Sequence, residues 1–206
     1  MVSQFNHPFA GILSGPSGSG KTVFIYKFLE NIENIMTPKP DEIIYCYGEY
    51  QPIFNTIKDK FQVEFIEGLI NIEQFSPEKR RLLIVDDLMA EVDHKITRLF
   101  TKGCHHKNIS CWLILQNLFA KNKEMRTISL NAHYIVCFKN PRDVSQITYL
   151  GNQMYATRSS YFKDSYKLAT KEPYGYLLVD LKQDTPDILR LKTDIFNKNP
   201  TVFIER

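Results

Sequence analysis

Apolar residues along this chain follow two alternating rhythms. Short, nearly continuous apolar runs occur at 9–13, 42–47, 81–85, 110–115 and 134–138, each bounded by polar residues, glycine or proline. Such runs suit strands buried on both faces of a parallel sheet. Between them the apolar positions move to helical spacing. Phe24, Phe28, Ile32 and Ile35 trace one face of a helix that begins near Gly20 and is stopped by Thr37-Pro38. Residues 51–61, 92–102, 123–130 and 159–170 read as further helices, and Pro141 is placed to open another that runs to about residue 154. Residues 63–66 read as a short peripheral strand, 174–180 and 188–192 as two closing strands, and 197–206 as a loose tail. Strand–helix alternation of this kind predicts a single α/β domain over 1–196, with a mainly parallel central sheet flanked by helices and closing strands at its C-terminal end.

Composition narrows the class without deciding it. In 206 residues, 43% hydrophobic and 24% charged content is ordinary for a chain that buries a full core. The longest apolar run falls far short of the roughly 20 residues that span a bilayer. The opening Met-Val-Ser-Gln-Phe-Asn-His lacks the basic-then-apolar pattern of a signal peptide, so the chain reads as soluble and intracellular. A net charge of +3 permits a nucleic-acid partner without arguing for one. Cys46, Cys104, Cys111 and Cys137 show no C-x-x-C spacing, and Cys104-His105-His106 lacks a second ligand pair at a zinc spacing.

The glycine-rich break after the first run changes the picture. Gly15-Pro16-Ser17-Gly18-Ser19-Gly20-Lys21-Thr22 fits G-x-x-x-x-G-K-[ST], the P-loop, between an expected strand and an expected helix. Glycines let successive backbone N–H groups wrap a phosphate without Cβ clashes, and the helix start adds its free N–H groups and dipole. Lys21 is placed to reach the β- and γ-phosphates of a nucleotide such as ATP, and the Thr22 hydroxyl to hold a magnesium ion.

A P-loop needs an acid at the end of another buried strand to complete the magnesium site. Asp86 closes the run Leu82-Leu83-Ile84-Val85, at a carboxyl end, where ligands bind in open α/β sheets. Adjacent Asp87 is the candidate to orient or deprotonate an attacking water. A helix cap would explain one of the two acids and not both. The next strand ends in Gln116, the position from which a polar residue faces the γ-phosphate in P-loop ATPases that carry an additional strand between the loop and the acid.

The ordered set resembles a known superfamily. Gly-Pro-Ser-Gly-Ser-Gly-Lys-Thr at 15–22, Leu-Leu-Ile-Val-Asp-Asp-Leu at 82–88, Leu-Ile-Leu-Gln-Asn-Leu-Phe at 113–119, Arg-Thr-Ile-Ser-Leu-Asn-Ala-His-Tyr-Ile-Val at 126–136, Phe-Lys-Asn-Pro-Arg-Asp at 138–143 and Tyr-Gly-Tyr-Leu-Leu-Val-Asp at 174–180 look like FtsK–HerA ATPases. Within that superfamily they are most similar to genome-packaging ATPases of poxvirus type, as in adintoviruses and Polinton elements. The resemblance implies ATP- and magnesium-dependent translocation of double-stranded DNA, by phosphate contacts, into a capsid or its portal. It implies a ring of identical subunits working in a host cell, in the nucleus or a virus factory. It assigns phosphate and magnesium binding to Lys21, Thr22 and Asp86, and the γ-phosphate or water to Gln116. The catalytic acid is often glutamate in that superfamily. Asp87 is one methylene shorter, and Glu91 stands nearby to assist.

Such a ring needs a cation supplied by a neighbouring subunit. Arg126 is the first candidate, with Arg142 and Arg158 as rivals; Lys102, His105, His106, Lys107, Lys121 and Lys123 are candidates for the DNA channel. Two other functions fit the loop alone. One is a guanylate-type nucleotide kinase, for which Arg142 and Arg158 are sparse as a phosphate-clamping lid. The other is a nucleotide-dependent switch subunit.

Overall fold

The fold is organised around β2 (Ala10–Ser14), a strand buried along its whole length. The structure, a computed structural model, describes residues 5–88, 94–119 and 123–205. Glu91, Lys121 and the start of the helix expected at 92–102 lie outside the described residues. Strand β2 pairs in parallel with β7 (Ile109–Leu115) on one side and β8 (Tyr134–Phe138) on the other. Beyond β7 come β6 (Arg81–Asp86), β4 (Glu42–Tyr47) and β5 (Glu64–Glu67), all parallel. Beyond β8 the direction reverses through β9 (Tyr176–Asp180), β10 (Leu191–Thr193) and β11 (Thr201–Val202). The nine-stranded order is β11-β10-β9-β8-β2-β7-β6-β4-β5. A separate parallel pair joins β1 (Phe5–Asn6) to β3 (Met36–Thr37).

Both faces of the sheet are covered, which accounts for the unbroken apolar runs. Ala10, Ile12, Leu83, Val85, Leu113 and Ile135 point into one core cluster, and Phe9, Leu13, Leu82, Ile84, Trp112 and Val136 into the other. The second face is closed by α1 (Lys21–Glu30), α2 (Ile32–Ile35) and α3 (Ile53–Lys60), through Phe24, Phe28, Ile35, Phe54 and Ile57. Burying a side chain such as Phe28 contributes about 1.5–3 kcal/mol. The first face is closed by α4 (His94–Arg98), α5 (Cys104–His106), α6 (Lys123–Leu130), α7 (Ser145–Tyr155) and α8 (Ser159–Ala169). Trp112 lies wholly buried against Phe5, Phe9, Phe24 and Phe28. Its strand partner is Gly11, where a Cβ would lie 2.4 Å from the indole, so a glycine in mid-strand makes room for the tryptophan.

Several elements depart from expectation. The helix expected to run from Gly20 to Ile35 breaks at Asn31, whose backbone N–H and side-chain amide both donate to Lys27 O. Residues 32–35 resume as α2, which leads directly into β3. The segment expected as a helix over 92–102 continues from α4 into a π-turn, Leu99–Gly103, before α5. Pro141 does not open α7, because Asn140 Oδ1 accepts from the backbone N–H groups of Arg142 and Asp143 and delays the helix to Ser145. Residues 197 onward, expected as a loose tail, place β11 on the edge of β10, and Tyr161 donates to Phe203 O at 2.8 Å.

Candidate functional site

Parallel register brings three loops to one edge of the sheet. Ser14 pairs with Leu115 and Ile114 with Asp86, so the glycine-rich loop, Gln116 and the Asp86-Asp87 pair all emerge side by side. Gly15 N donates to Leu115 O at 3.2 Å and ties the loop to the end of β7. Ser17, Gly18, Gly20, Lys21, Thr22, Asp86, Asp87 and Gln116 line one cleft of about 440 Å³.

The loop adopts a conformation that glycine makes accessible. Gly18 and Gly20 have φ of 74° and 103°, in the left-handed region. At Gly15 a Cβ would stand 2.7 Å from both Phe138 Cβ and Ser19 Oγ. Gly15, Pro16 and Ser19 complete the loop, and the buried Ser19 hydroxyl has no hydrogen-bond partner among the described residues. Helix α1 starts at Lys21, and the Lys21 Nζ donates to Gly15 O at 2.6 Å and Pro16 O at 2.8 Å. Burial lowers the Lys21 pKa, against the pull of Asp86 and Asp87.

Asp86 is 4% exposed. Its Oδ2 accepts from the Tyr45 hydroxyl at 2.6 Å and from Gln51 Nε2 at 3.4 Å. Burial raises its pKa above the ordinary aspartate value, opposed by the Tyr45 hydrogen bond and the Lys21 charge. Gln51 Oε1 in turn accepts from Thr22 Oγ1 at 3.1 Å, so one amide spans the Thr22 hydroxyl and the Asp86 carboxylate. Those two oxygen donors suit a hard divalent cation such as magnesium. Asp87 has φ 55°, and Gly48, whose N donates to Asp86 O at 3.1 Å, lies so close that a Cβ there would be 2.7 Å from Asp87 O.

Tyr45, Gln51, Glu49, Tyr50 and Tyr174 belong to this site and escaped sequence reasoning. The first four come from β4 and the loop after it. The rule that ligands bind at carboxyl ends of parallel strands points to that loop, but no spacing motif marks it.

Arg126 lies elsewhere, exposed on α6 in a groove of about 640 Å³ with Phe119, Leu130 and Tyr149. Arg142 is exposed in the turn before α7, and Arg158 pairs with Glu205 at 2.6 Å. Lys102, His105, His106 and Lys123 are exposed, whereas Lys107 donates to Glu73 O and Phe75 O at 3.0 and 3.1 Å.

A glycine-rich turn feeding a helix, with β7 between the turn's strand and the acid's strand, defines a P-loop NTPase fold with the additional strand. The structure is similar to that of the genome packaging NTPase B204 from Sulfolobus turreted icosahedral virus 2. In complex with AMPPCP, B204 gives a TM-score of 0.56 at 16% identity, over 86% of this chain and 95% of that one. In complex with ATP-gammaS it gives 0.54 at 14% identity, over 86% and 94%. No protein-family model and no curated protein sequence matches the chain. Among the described residues, no helix is long and apolar enough to cross a membrane.

Proposed function

We propose that this chain is an ATPase that drives double-stranded DNA into a viral capsid. The observation that carries the reading is the meeting of Thr22 and Asp86 on one amide beside Lys21, with Asp87 and Gln116 on the same cleft. Magnesium, held by Thr22 and Asp86, would neutralise charge on the phosphates. Lys21 exchanges its carbonyl partners for the oxygens of the β- and γ-phosphates, and the loop N–H groups hold the same anion. Gln116 orients a water toward the γ-phosphate, and Asp87 accepts its proton.

The likeness to a genome packaging NTPase supports packaging as the use of that hydrolysis. The finer placement, among FtsK–HerA ATPases of poxvirus, adintovirus or Polinton type, rests on the ordered motifs from the P-loop to 174–180. In this reading identical subunits form a ring, and Arg126 of one subunit reaches the cleft of the next. Arg142 is an alternative, while Arg158 is engaged by Glu205. In the same reading the exposed Lys102, His105, His106 and Lys123 are the candidates to meet DNA phosphates, and a capsid or portal protein receives the DNA inside the host cell.

The test is ATP hydrolysis with and without duplex DNA across a salt series. Hydrolysis that duplex DNA stimulates, with stimulation fading as salt rises, is expected. Lys21→Ala is expected to cut turnover by about 100-fold or more. Hydrolysis indifferent to DNA at every salt concentration removes the translocase reading, and wild-type turnover in Lys21→Ala removes the site.

A further inference from the structure

The turn that leads into β9 holds a tyrosine where a turn of its kind takes glycine. Gly175 N donates to Glu172 O at 3.1 Å, closing a turn over Glu172-Pro173-Tyr174-Gly175. Proline stands second, and Tyr174 stands third with φ 62°. That is the pattern of a type II turn, whose third position favours glycine or asparagine because a Cβ crowds the backbone at positive φ. Gly175 cannot relieve the arrangement by exchange, since a Cβ there would lie 2.5 Å from Ala169 O. The tyrosine gains little from burial, because it is 67% exposed. A residue held against its backbone preference and left in solvent points to use of its side chain.

Its position says what use. The Tyr174 ring borders the same cleft as the glycine-rich loop, and a Cβ on Gly20 would lie 3.2 Å from Tyr174 Cδ1. Asp86 and Gln116 stand at the ends of β6 and β7, on one side of β2, whereas β8 and β9 lie on the other side. A nucleotide whose reacting phosphate meets Asp86 and Gln116 therefore extends its nucleoside end across the start of α1, toward Tyr174. Val23, 43% exposed on the first turn of α1, gives an apolar surface along that path. Tyr50 is the competing aromatic. It follows β4 on the reacting side, its ring meets Tyr47 and Phe54 edge-on, and its hydroxyl donates to Asn55.

We propose that Tyr174 is the nucleobase platform of this site, stacking on the base of the bound nucleoside triphosphate and favouring purines by their larger ring. The inference rests on the reading of the cleft as a triphosphate site. Stacking recognises a π-face rather than hydrogen-bonding edges, so adenine and guanine nucleotides bind alike and pyrimidine nucleotides bind more weakly.

The experiment measures dissociation constants of the full chain, with magnesium, for AMPPCP, for a non-hydrolysable UTP analogue, and for inorganic tripolyphosphate, which has no base. Tyr174→Ala is expected to raise the AMPPCP Kd by about 5- to 150-fold, the usual worth of one stacked base, with the tripolyphosphate Kd unchanged. The purine preference then collapses. Tyr174→Phe restores affinity and preference. Tyr174→Gly, which suits the turn, loses affinity as the alanine variant does while melting no lower than wild type, an outcome that a merely structural tyrosine would not give. The proposal is overturned if AMPPCP affinity survives in Tyr174→Ala, if AMPPCP and tripolyphosphate weaken together, or if Tyr50→Ala shows the selective loss instead. Wild-type protein that binds neither AMPPCP nor tripolyphosphate overturns the triphosphate reading and this one with it; the other failures leave the triphosphate reading standing.

Discussion

Asp86 carries a carboxylate into surroundings that oppose its charge. Burial raises its pKa, and the Tyr45 hydrogen bond compensates only in part. A carboxyl with a folded pKa above its unfolded value binds more protons when folded. Its contribution to stability is therefore full below the unfolded pKa and is lost as pH rises through the folded pKa. At neutral pH the folded protein bears the cost of an ionised, buried Asp86. Asp86→Asn removes that cost and keeps an acceptor for Tyr45, so the variant is expected to melt higher than wild type at neutral pH. In a chain this size each kcal/mol recovered raises Tm by about 2–4 °C. The advantage is expected to vanish in acid, and ATP hydrolysis to be lost throughout. Thermal melts over a pH series check the sign, and a lower Tm at neutral pH refutes the account. That Lys21, Thr22 and Asp86 share one cleft was legible from their spacing and their neighbours in the chain. Tyr45 and Gln51 were not, because they meet Asp86 only through the pairing of β4 with β6.

At the level of elements, every run buried on both faces was legible, since a strand covered by two helical layers has no polar alternation to confuse it. Helix ends were less so. The chain breaks at Asn31 and starts late after Asn140 through local amide hydrogen bonds that compete with the helical ladder. The two-residue β11 carries no periodic signal at all. The turn after β6 was also hidden, although it sets the second acid. Asp87 sits at φ 55° with its carbonyl against Gly48. Gly48→Ala would press a methyl group onto that carbonyl and displace the Asp87 turn. Nucleotide affinity is expected to hold within a few-fold while hydrolysis falls by about 100-fold, as for loss of one positioned catalytic group. Parallel measurements of AMPPCP binding and turnover separate the two, and unchanged turnover contradicts a role for this turn.

For the whole molecule, no arginine among the described residues lines the cleft of the glycine-rich loop, and Arg126 opens on a different groove. If a neighbouring subunit supplies it, Arg126→Ala is expected to bind ATP normally and to lose about 1000-fold or more in hydrolysis, the usual worth of such a finger. Mixed with wild type, the variant should poison activity more steeply than dilution. A loss proportional to dilution excludes the trans arrangement. Whether the exposed apolar positions on α6 and α7 meet another copy was beyond reach from the sequence, because they pattern like any half-covered helix.

The two ends of the nine-stranded order bear on how copies of this chain tolerate crowding. One edge is β5, four residues long, with exposed Glu64 and Glu67 at its ends; the other is β11, two residues long and backed by the Tyr161–Phe203 hydrogen bond. Short, charged or pinned edges offer a poor template for strand addition. Copies of this chain at high local concentration therefore find a poor strand-to-strand template at either end of this sheet.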